Sequence, residues 1–284
     1  MTVGAARRLP LARDGRRWQA WLARLGSACR SRLGALVGAV VVLCLWELLA
    51  TTLLAQRDVL ATPTQVVVQL WRDRHLYGEN LPTTLLEAGE GWLGGNVAAL
   101  VLAVALVQIP LLEKELLRIA IAAYCMPVVA IGPILMVILT GTAPKAILAG
   151  LSVFFTTLIA AVLGLKSSDK AVRDIVNVYG GTRWQEMWKV RIPTALPATF
   201  GGLQIAAPAA VLGALIGEYL GGTSGLGVAM IVSEQTLDVS RTWALAVVAS
   251  VVAGVGYSVT GLIGRVLTPW APRSRMTPEQ RVAL

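Results

Sequence analysis

The sequence of 284 residues is short of charge and almost devoid of histidine. Charged residues make up 14% of it, against about 25% in an ordinary soluble protein. The chain therefore has neither the polar surface of a soluble enzyme nor the charge of a disordered protein, and both classes are excluded. A single histidine, His75, cannot form a histidine cluster for a metal, and we expect neither a metal site nor a histidine-dependent catalytic triad in this chain.

Cysteine is also scarce, and a phosphate-binding loop is missing. The three cysteines, Cys29, Cys44 and Cys125, are odd in number and lie in or beside apolar or arginine-rich stretches. This pattern excludes a disulfide scaffold. No Gly-x-x-x-x-Gly-Lys-Ser/Thr segment occurs, so the chain has no P-loop for ATP. We expect a protein that is not an enzyme and that holds no cofactor of its own.

Apolar residues and long apolar runs are abundant. Hydrophobic residues account for 56% of the chain, and its mean hydropathy is +0.68. A helix of about 20 apolar residues crosses the hydrocarbon core of a bilayer. The runs therefore predict an all-α polytopic membrane protein with six transmembrane helices, at 33–55, 82–107, 119–139, 146–165, 198–220 and 243–267.

These helices predict the domain organisation. A basic N-terminal tail (1–32) precedes a six-helix membrane domain (33–268) with a long polar loop at 166–197, and a short C-terminal tail (269–284) follows. A surface helix is predicted at 64–74, with Thr62 or Thr64 as its N-cap. Residues 221–242 are predicted to form a loop rich in glycine and polar residues.

The formal charge of +9 comes from Lys and Arg residues whose distribution indicates how the chain is oriented in the membrane. If both termini lie on one side of six spans, 20 of the 25 Lys and Arg residues fall on that side. Because positive residues favour the cytoplasmic side, this predicts a multi-pass protein of the bacterial cytoplasmic (inner) membrane with both termini in the cytoplasm. A nucleic-acid partner is not expected, since no basic and aromatic binding platform accompanies the charge.

Four glutamates lie in or near the predicted spans, where a carboxylate is costly and often functional. They are Glu47, Glu87, Glu90 and Glu218. Each of them could instead hydrogen-bond a neighbouring helix or reach headgroup water. A proton relay would need a basic partner at membrane depth, and the sequence indicates none.

The polar loop 166–197 has a regular internal pattern. A helix is followed by a break at Gly180-Gly181-Thr182, and a second short helix is predicted to start with a Thr182–Gln185 capping box and to end at Pro193. The second helix places Trp184, Met187 and Trp188 on one face. Such an apolar stripe can bury against the protein's own helices or fill a groove on a partner.

The loop resembles the cytoplasmic EAA loop of ABC importer permeases. That pattern is Glu-Ala-Ala, three residues, Gly, nine residues and Ile-x-Leu-Pro, and it is matched in spacing by Asp174-Ile175-Val176, Gly180 and Val190-x-Ile192-Pro193. Ile175 and Val176 depart from it, because small residues are usual at their positions. Four further segments resemble the nitrate/sulfonate/taurine-type branch of the same family, and the resemblance covers about residues 36–270. They are Leu45-Trp46-Glu47, Leu60-Ala-Thr-Pro-Thr-Gln-Val66, Ile192-Pro-Thr-Ala-Leu-Pro197 and Gly217-Glu-Tyr-Leu-Gly-Gly-Thr-Ser-Gly-Leu-Gly227.

The resemblance implies a type I ABC importer permease fold and a set of partners. The chain would pair with a second permease subunit, as a homodimer or a paralogous heterodimer. It would also bind a dimer of ATP-binding subunits, which hold ATP and Mg, and a periplasmic or lipid-anchored substrate-binding protein. The residues implied in coupling to the ATPase are Asp174, Val176, Tyr179, Gly180, Gly181, Trp184, Val190, Ile192 and Pro193.

The resemblance further implies a translocation path for a small solute, either a nitrate-, sulfonate- or taurine-like anion or a similar small organic molecule. Its outer gate is expected at Glu218, Gly221, Gly222 and Gly225. The alternative is an ion-coupled secondary transporter with six spans. Such a protein should carry its own charge pairs in the membrane, and the sequence predicts none.

Overall fold

The computed structural model describes residues 34, 37–52, 60–109, 115, 118, 122 and 127–271. No strand occurs in these ranges, and the predicted all-α class is confirmed. The chain divides into two compact units, 1–67 and 68–284. In chain order the helices are α1 (Val37–Thr52), α2 (Pro63–Arg72), α3 (Arg74–Gln108), α4 (Val128–Ile138), α5 (Ala143–Lys166), α6 (Lys170–Val178), α7 (Arg183–Glu186), α8 (Ile192–Gly221), α9 (Leu226–Gln235) and α10 (Val239–Leu267).

In the first unit, α1 is tied to the start of α2 by side-chain hydrogen bonds. The Trp46 indole N–H donates to the Ala61 carbonyl (3.1 Å), and the Thr64 hydroxyl donates to a Glu47 carboxylate oxygen (3.0 Å). Thr62 caps α2, since its hydroxyl accepts a hydrogen bond from the Gln65 backbone N–H (3.1 Å). The helix predicted at 64–74 is confirmed with the bounds Pro63–Arg72, and Thr62 is the one of the two candidate residues that caps it. Glu47 binds the start of this neighbouring helix.

Four helices in the described ranges are long and apolar enough to cross a membrane. They are Arg74–Gln108, Ala143–Lys166, Arg183–Gly221 and Val239–Leu267, and they cover the second, fourth, fifth and sixth predicted spans. The other two spans are described only in part, by the shorter apolar helices α1 and α4. Residues 1–33, 119–121, 123–126 and 272–284 lie outside the described residues, so the count of six spans and both tails stay predictions.

Helix α5 packs against α3 along one side and against α8 along another. Small residues allow these contacts to reach the backbone. A Cβ atom on Gly95 would lie 2.8 Å from the Gly150 Cα, and one on Gly213 would lie 2.6 Å from the Ala149 Cα. α3 and α5 run in the same direction, and α8 runs opposite to them. The two ends of the four spans are called the Glu218 end and the Lys166 end, after a residue at each.

The buried apolar side chains form three clusters along the four spans. One lies at the Lys166 end, one in the middle and one at the Glu218 end. Their buried members include Leu106, Leu158, Leu165 and Met187 in the first, Ala149, Val153, Ala206 and Ala214 in the second, and Tyr77, Leu226 and Leu245 in the third. The third cluster brings α9 into the same core as α3 and α10.

The expectation of a loop at 221–242 is wrong in part. Residues 226–235 form the helix α9, which packs against α3, α8 and α10. The apolar positions Leu226 and Ala229 are buried on this helix. Burial of these side chains against three neighbouring helices stabilises a short helix that glycine-rich flanking sequence would not indicate.

Candidate functional site

The polar loop begins with α6, which ends in a glycine turn. The Gly181 N–H donates to the Val176 carbonyl (2.8 Å) and the Gly180 N–H to the Asn177 carbonyl (3.0 Å), which is a Schellman motif. Gly180 has a φ of +76°, a conformation that favours glycine. A Cβ on Gly181 would lie 2.7 Å from the Val176 carbonyl oxygen. The turn therefore requires both glycines, which the sequence pattern had only marked as a break.

The second helix of the loop starts at the predicted residue but continues beyond its predicted end. Thr182 and Gln185 form the predicted capping box, with hydrogen bonds of 3.2 and 2.9 Å. The prediction that Pro193 ends this helix is wrong. A π-helical turn (Met187–Arg191) joins α7 to α8, and Pro193 lies in the first turn of α8, where the shape of its ring is tolerated. Arg183–Gly221 is thus one continuous helical rod of 39 residues.

The predicted apolar stripe of the second helix is divided between core and surface. Met187 is 1% exposed and belongs to the core cluster at the Lys166 end. Trp184 and Trp188 are 57% and 56% exposed, and their rings meet edge to face with centres 5.7 Å apart. The buried Glu186 forms an ion pair with Arg191, with 2.8 Å between a carboxylate oxygen and a guanidinium nitrogen. Met187 anchors the loop to the core, and the two tryptophans stay exposed.

The other predicted coupling residues fall into two groups. Asp174 and Tyr179 are exposed, and Asp174 has no hydrogen-bond or ion-pair partner among the residues that the structure describes. Val190 is buried, Ile192 packs on the same core cluster as Met187, and Pro193 starts α8. The first group is available for contact, and the second holds the loop in place.

Glu218, the predicted gate carboxylate, lies in the last turn of α8 and is 1% exposed. Its oxygens accept hydrogen bonds from the Thr84 hydroxyl and from the Gly227 N–H, both at 2.6 Å. The Thr84 hydroxyl also accepts from the Leu226 N–H (2.9 Å), and the Asn80 side-chain oxygen accepts from the Gly225 N–H (2.9 Å). Three side chains from α3 and α8 therefore cap the start of α9.

The three predicted gate glycines shape the chain between α8 and α9. Gly221 ends α8, and a Cβ on Gly222 would lie 2.7 Å from the Glu218 carbonyl oxygen. Gly225 has a φ of +117°, and a Cβ there would overlap the Glu218 carboxylate. The structure therefore places Gly225 directly against the Glu218 carboxylate, and the outer gate stays a prediction.

A buried ion pair lies beside this group, and its presence corrects the sequence analysis. The Lys145 ammonium donates to a Glu87 carboxylate oxygen at 2.8 Å, with side chains 6% and 0% exposed. The sequence indicated no basic partner at membrane depth because Lys145 directly follows residues 141–144, which the sequence predicts as a tight turn. The helix α5 starts at Ala143, one turn earlier than the predicted span, and carries Lys145 inward.

Further polar contacts between helices were missed by the sequence analysis. The Thr157 hydroxyl of α5 donates to the Asn96 side-chain oxygen of α3 at 2.5 Å. At the Glu218 end, Arg241 Nε of α10 donates to the Asp73 carboxylate at 2.7 Å. An Asn or Thr in an apolar run was the available signal for the first contact, but its partner depends on which helices pack together.

The Asp73 contact affects the ionisation of its carboxyl group. Partial burial opposes ionisation of Asp73, but the hydrogen bonds from Arg241 and Gln69 outweigh it and hold the pKa of Asp73 below its ordinary value of 3.8. The pair is therefore ionised at neutral pH. In the described ranges, no three His, Cys, Asp or Glu side chains are grouped to hold a metal ion.

Comparison with known proteins gives one family and several curated relatives. The model of the family described as "Binding-protein-dependent transport system inner membrane component" matches residues 95–271. A "Probable ABC transporter permease protein" of Haemophilus influenzae is 30% identical over 227 residues, which cover 79% of this chain and 93% of that protein. A "Formylaminopyrimidine transport permease protein" of Halalkalibacterium halodurans is 26% identical, covering 81% of this chain and 93% of its own length.

A third relative is named for a different substrate. The "Putative aliphatic sulfonates transport permease protein" of Bacillus subtilis is 24% identical, with 85% of this chain and 90% of that protein covered. The region matched by the family model contains α5 to α10 and the whole polar loop.

Proposed function

Because the chain belongs to the inner-membrane components of binding-protein-dependent transport systems, we propose that it forms half of the translocation path of an ATP-driven importer. The resemblance to ABC importer permeases is confirmed by this family. The family match also sets aside the alternative of an ion-coupled secondary transporter. The expected absence of charge pairs between the spans does not count against that alternative, because the buried Glu87–Lys145 pair exists. In the proposal, a separate ATP-binding subunit supplies the energy and this chain converts its movement into access for the solute.

The observation that carries the proposal is the continuity of the rod Arg183–Gly221. A continuous helix transmits a displacement along its length, even if it bends at Pro197 and Pro208, whereas a break in the helix would absorb the displacement. Met187 fastens the rod to the core at the Lys166 end, and the Glu186–Arg191 ion pair stabilises the π-helical turn within the rod. A push on the polar loop would therefore reach the Glu218 end as movement of packed helices.

The surface offered to the ATP-binding subunit is the exposed part of the polar loop. It is apolar and aromatic within a loop that is otherwise charged, which is the composition expected of a helix that fills a partner's groove. Asp174, exposed and unpaired in the described ranges, would bind a donor on that subunit. The exposed large side chains are Ile175, Val178, Tyr179, Trp184 and Trp188.

The position of this surface at the Lys166 end indicates how the chain would be oriented in the membrane and where its other partners would bind. The Lys166 end would face the cytoplasm with both termini, since it carries the basic loop. The Glu218 end would face the outside, where a substrate-binding protein delivers the solute and where Glu218, Gly221, Gly222 and Gly225 form part of the outer gate. ATP and Mg would be bound by the ATP-binding subunits, and a second permease subunit would complete the path.

The solute is proposed as a small organic molecule or anion. The relatives are named for solutes as different as a formylaminopyrimidine and aliphatic sulfonates. A thermal-shift screen of the cognate binding protein against sulfonates, taurine, nitrate and pyrimidine derivatives would identify the class. Stabilisation by none of these would refute the proposed solute classes.

The experiment that tests coupling uses the chain co-expressed with its ATP-binding subunit and assayed in proteoliposomes. We expect the double variant Trp184→Ala and Trp188→Ala to lose co-purification with the ATP-binding subunit and binding-protein-stimulated ATP hydrolysis. The matched control is Trp71→Ala, which removes an exposed tryptophan from α2. Wild-type co-purification and stimulation in the double variant would refute the assigned docking surface.

A further inference from the structure

We propose that Asn80, Thr84 and Glu218 form a permanent joint, here called the α9 joint, that fixes α9 to α3 and α8 throughout the transport cycle. Asn80 and Thr84 are then positioning residues for the outer gate. The gate would open by movement of the whole block of α3, α8 and α9, and the segment 222–225 would not open by itself. This inference rests on the proposed function, and it assigns roles to two residues of α3 outside the predicted gate.

The cap of α9 comes entirely from side chains of other helices. A helix start leaves four backbone N–H groups without acceptors in the helix. In α9 the N–H groups of Gly225, Leu226 and Gly227 are each bound by a side chain from another helix, over 2.9, 2.9 and 2.6 Å. None of these acceptors belongs to α9 itself. The start of α9 can therefore stay satisfied only while α3 and α8 remain beside it.

The charge of Glu218 is compensated by the start of α9. Glu218 is 1% exposed, and its carboxylate lies against the positive end of the α9 macrodipole. The neighbouring Glu87 has its own partner in Lys145 at 2.8 Å. Movement of α9 away from α8 would remove the compensation of Glu218 and leave its carboxylate buried without the Gly227 hydrogen bond. Such a state is costly in a buried site.

The packing around α9 leaves no space for an alternative arrangement. A Cβ on Gly227 would lie 2.6 Å from the Leu215 carbonyl oxygen and 2.9 Å from the Glu218 Cβ. The backbone of α9 thus already touches α8. On the other side of α9, Leu226 is completely buried in a cluster with Tyr77 and Leu245. Detachment of α9 would break both contacts together with the cap.

The direct test measures a distance in the assembled transporter. Spin labels are placed at Glu79→Cys on α3 and Gln235→Cys on α9, both exposed positions, after Cys29, Cys44 and Cys125 are replaced by serine. We expect the same label distance in the nucleotide-free and the ATP-bound transporter. A second pair, from Glu79→Cys to a label on the ATP-binding subunit, verifies that the transporter has changed state. A Glu79–Gln235 distance that differs between the two states would overturn the joint.

The functional test uses the hydroxyl of Thr84. Thr84→Val keeps the shape and removes both hydrogen bonds, and we expect binding-protein-stimulated ATP hydrolysis and uptake to fall about tenfold, the size of effect of one unsatisfied buried group. Basal ATP hydrolysis should not change, and Thr84→Ser should restore stimulation. The matched control is Thr157→Val, which removes another fully buried threonine hydroxyl between α3 and α5. We expect it to keep the ratio of stimulated to basal hydrolysis.

The outcomes separate the joint from the function on which it rests. Wild-type stimulation in Thr84→Val, or failure of Thr84→Ser to restore it, would refute the positioning role. If Thr84→Val does not fold, the spin-label comparison decides, since it uses the intact α9 joint. Absence of binding-protein-stimulated ATP hydrolysis and of uptake in the wild-type assembly would refute the proposed function itself.

Discussion

Lys145 of α5 and Glu87 of α3 form an ion pair at 2.8 Å that is almost completely withdrawn from solvent, with side chains 6% and 0% exposed. It lies one helical turn from Thr84 and directly beside α8, since a Cβ on Gly217 would lie 2.9 Å from the Lys145 Cα. The pair therefore stands where three spans meet at the Glu218 end. Its position makes it a strong determinant of how these helices assemble.

Removal of one partner of this pair should be far more harmful than removal of both. Lys145→Met leaves the Glu87 carboxylate buried without compensation, and we expect a loss of about 3–5 kcal/mol in the free energy of unfolding. The double variant Lys145→Met and Glu87→Leu should recover most of that loss. Thermal unfolding of the detergent-solubilised chain measures both. The control is Glu115→Gln, because the Glu115–Arg118 pair has side chains 65% and 74% exposed and should contribute at most about 1 kcal/mol. Equal losses in the single and double variants would contradict this account.

Substitution of Gly180 should weaken coupling through the turn at the end of α6. Gly180→Ala forces an alanine into a φ of +76°, at a cost of about 1 kcal/mol. We expect α6 to lose its fixed position relative to α7 and binding-protein-stimulated ATP hydrolysis to fall, with membrane insertion unchanged. Gly94→Ala is the matched control, since Gly94 is helical and has open space around it. Full stimulation in Gly180→Ala would show that the turn is not needed for coupling.

Rigidity of the rod between the loop and α8 should determine how well movement is transmitted. The double variant Lys189→Gly and Thr194→Gly changes two exposed positions of the rod and makes the helix about 1 kcal/mol less stable at each than alanine does. We expect the ATP-binding subunit to bind normally and stimulated hydrolysis and uptake to decrease. The same positions changed to alanine keep the helix and should retain wild-type coupling. Equal coupling in the glycine and alanine variants would argue against transmission through this rod.

The Asp73–Arg241 pair should give a stability contribution that depends on pH. The pKa of Asp73 is lowered in the folded chain, so the pair stabilises the fold fully above the ordinary value of 3.8 and loses this contribution as pH falls through the lower folded value. We expect Asp73→Asn to have a lower melting temperature than the wild type at pH 7, with the difference shrinking below pH 3.8 and vanishing once the pH is below the folded pKa of Asp73. Melting curves across this range measure it. A difference that persists at the lowest pH would assign the effect to shape and not to charge.

Much of the fold was predictable because its signals are local. Apolar runs indicated the spans now described as α3, α5, α8 and α10, and the Thr62 and Thr182 caps were read correctly from neighbouring residues. The break at Gly180-Gly181 was also found in the sequence, since turns of this kind need glycine. Such features depend on residues within a few positions of each other in the chain.

The errors share a different physical origin. Pro193 was expected to end a helix, but the buried Met187 and the partly buried Ile192 hold the chain helical through the π turn. Residues 226–235 were expected to be a loop, but α3 and α8 supply the cap that this helix lacks locally. In each case contacts with other helices outweigh the local preference.

By itself, the sequence determined that this protein is a helical membrane protein, and its loop spacing pointed to the permease family, because hydrophobic length and turn chemistry are written in short segments. The tertiary structure decided the partners of its buried polar groups. Lys145, counted from the sequence as a surface charge, neutralises Glu87, and Glu218 caps α9 together with Thr84. These partners lie 58 and 134 positions apart in the chain, and only the packing of α3 against α5 and α8 brings them within hydrogen-bond distance.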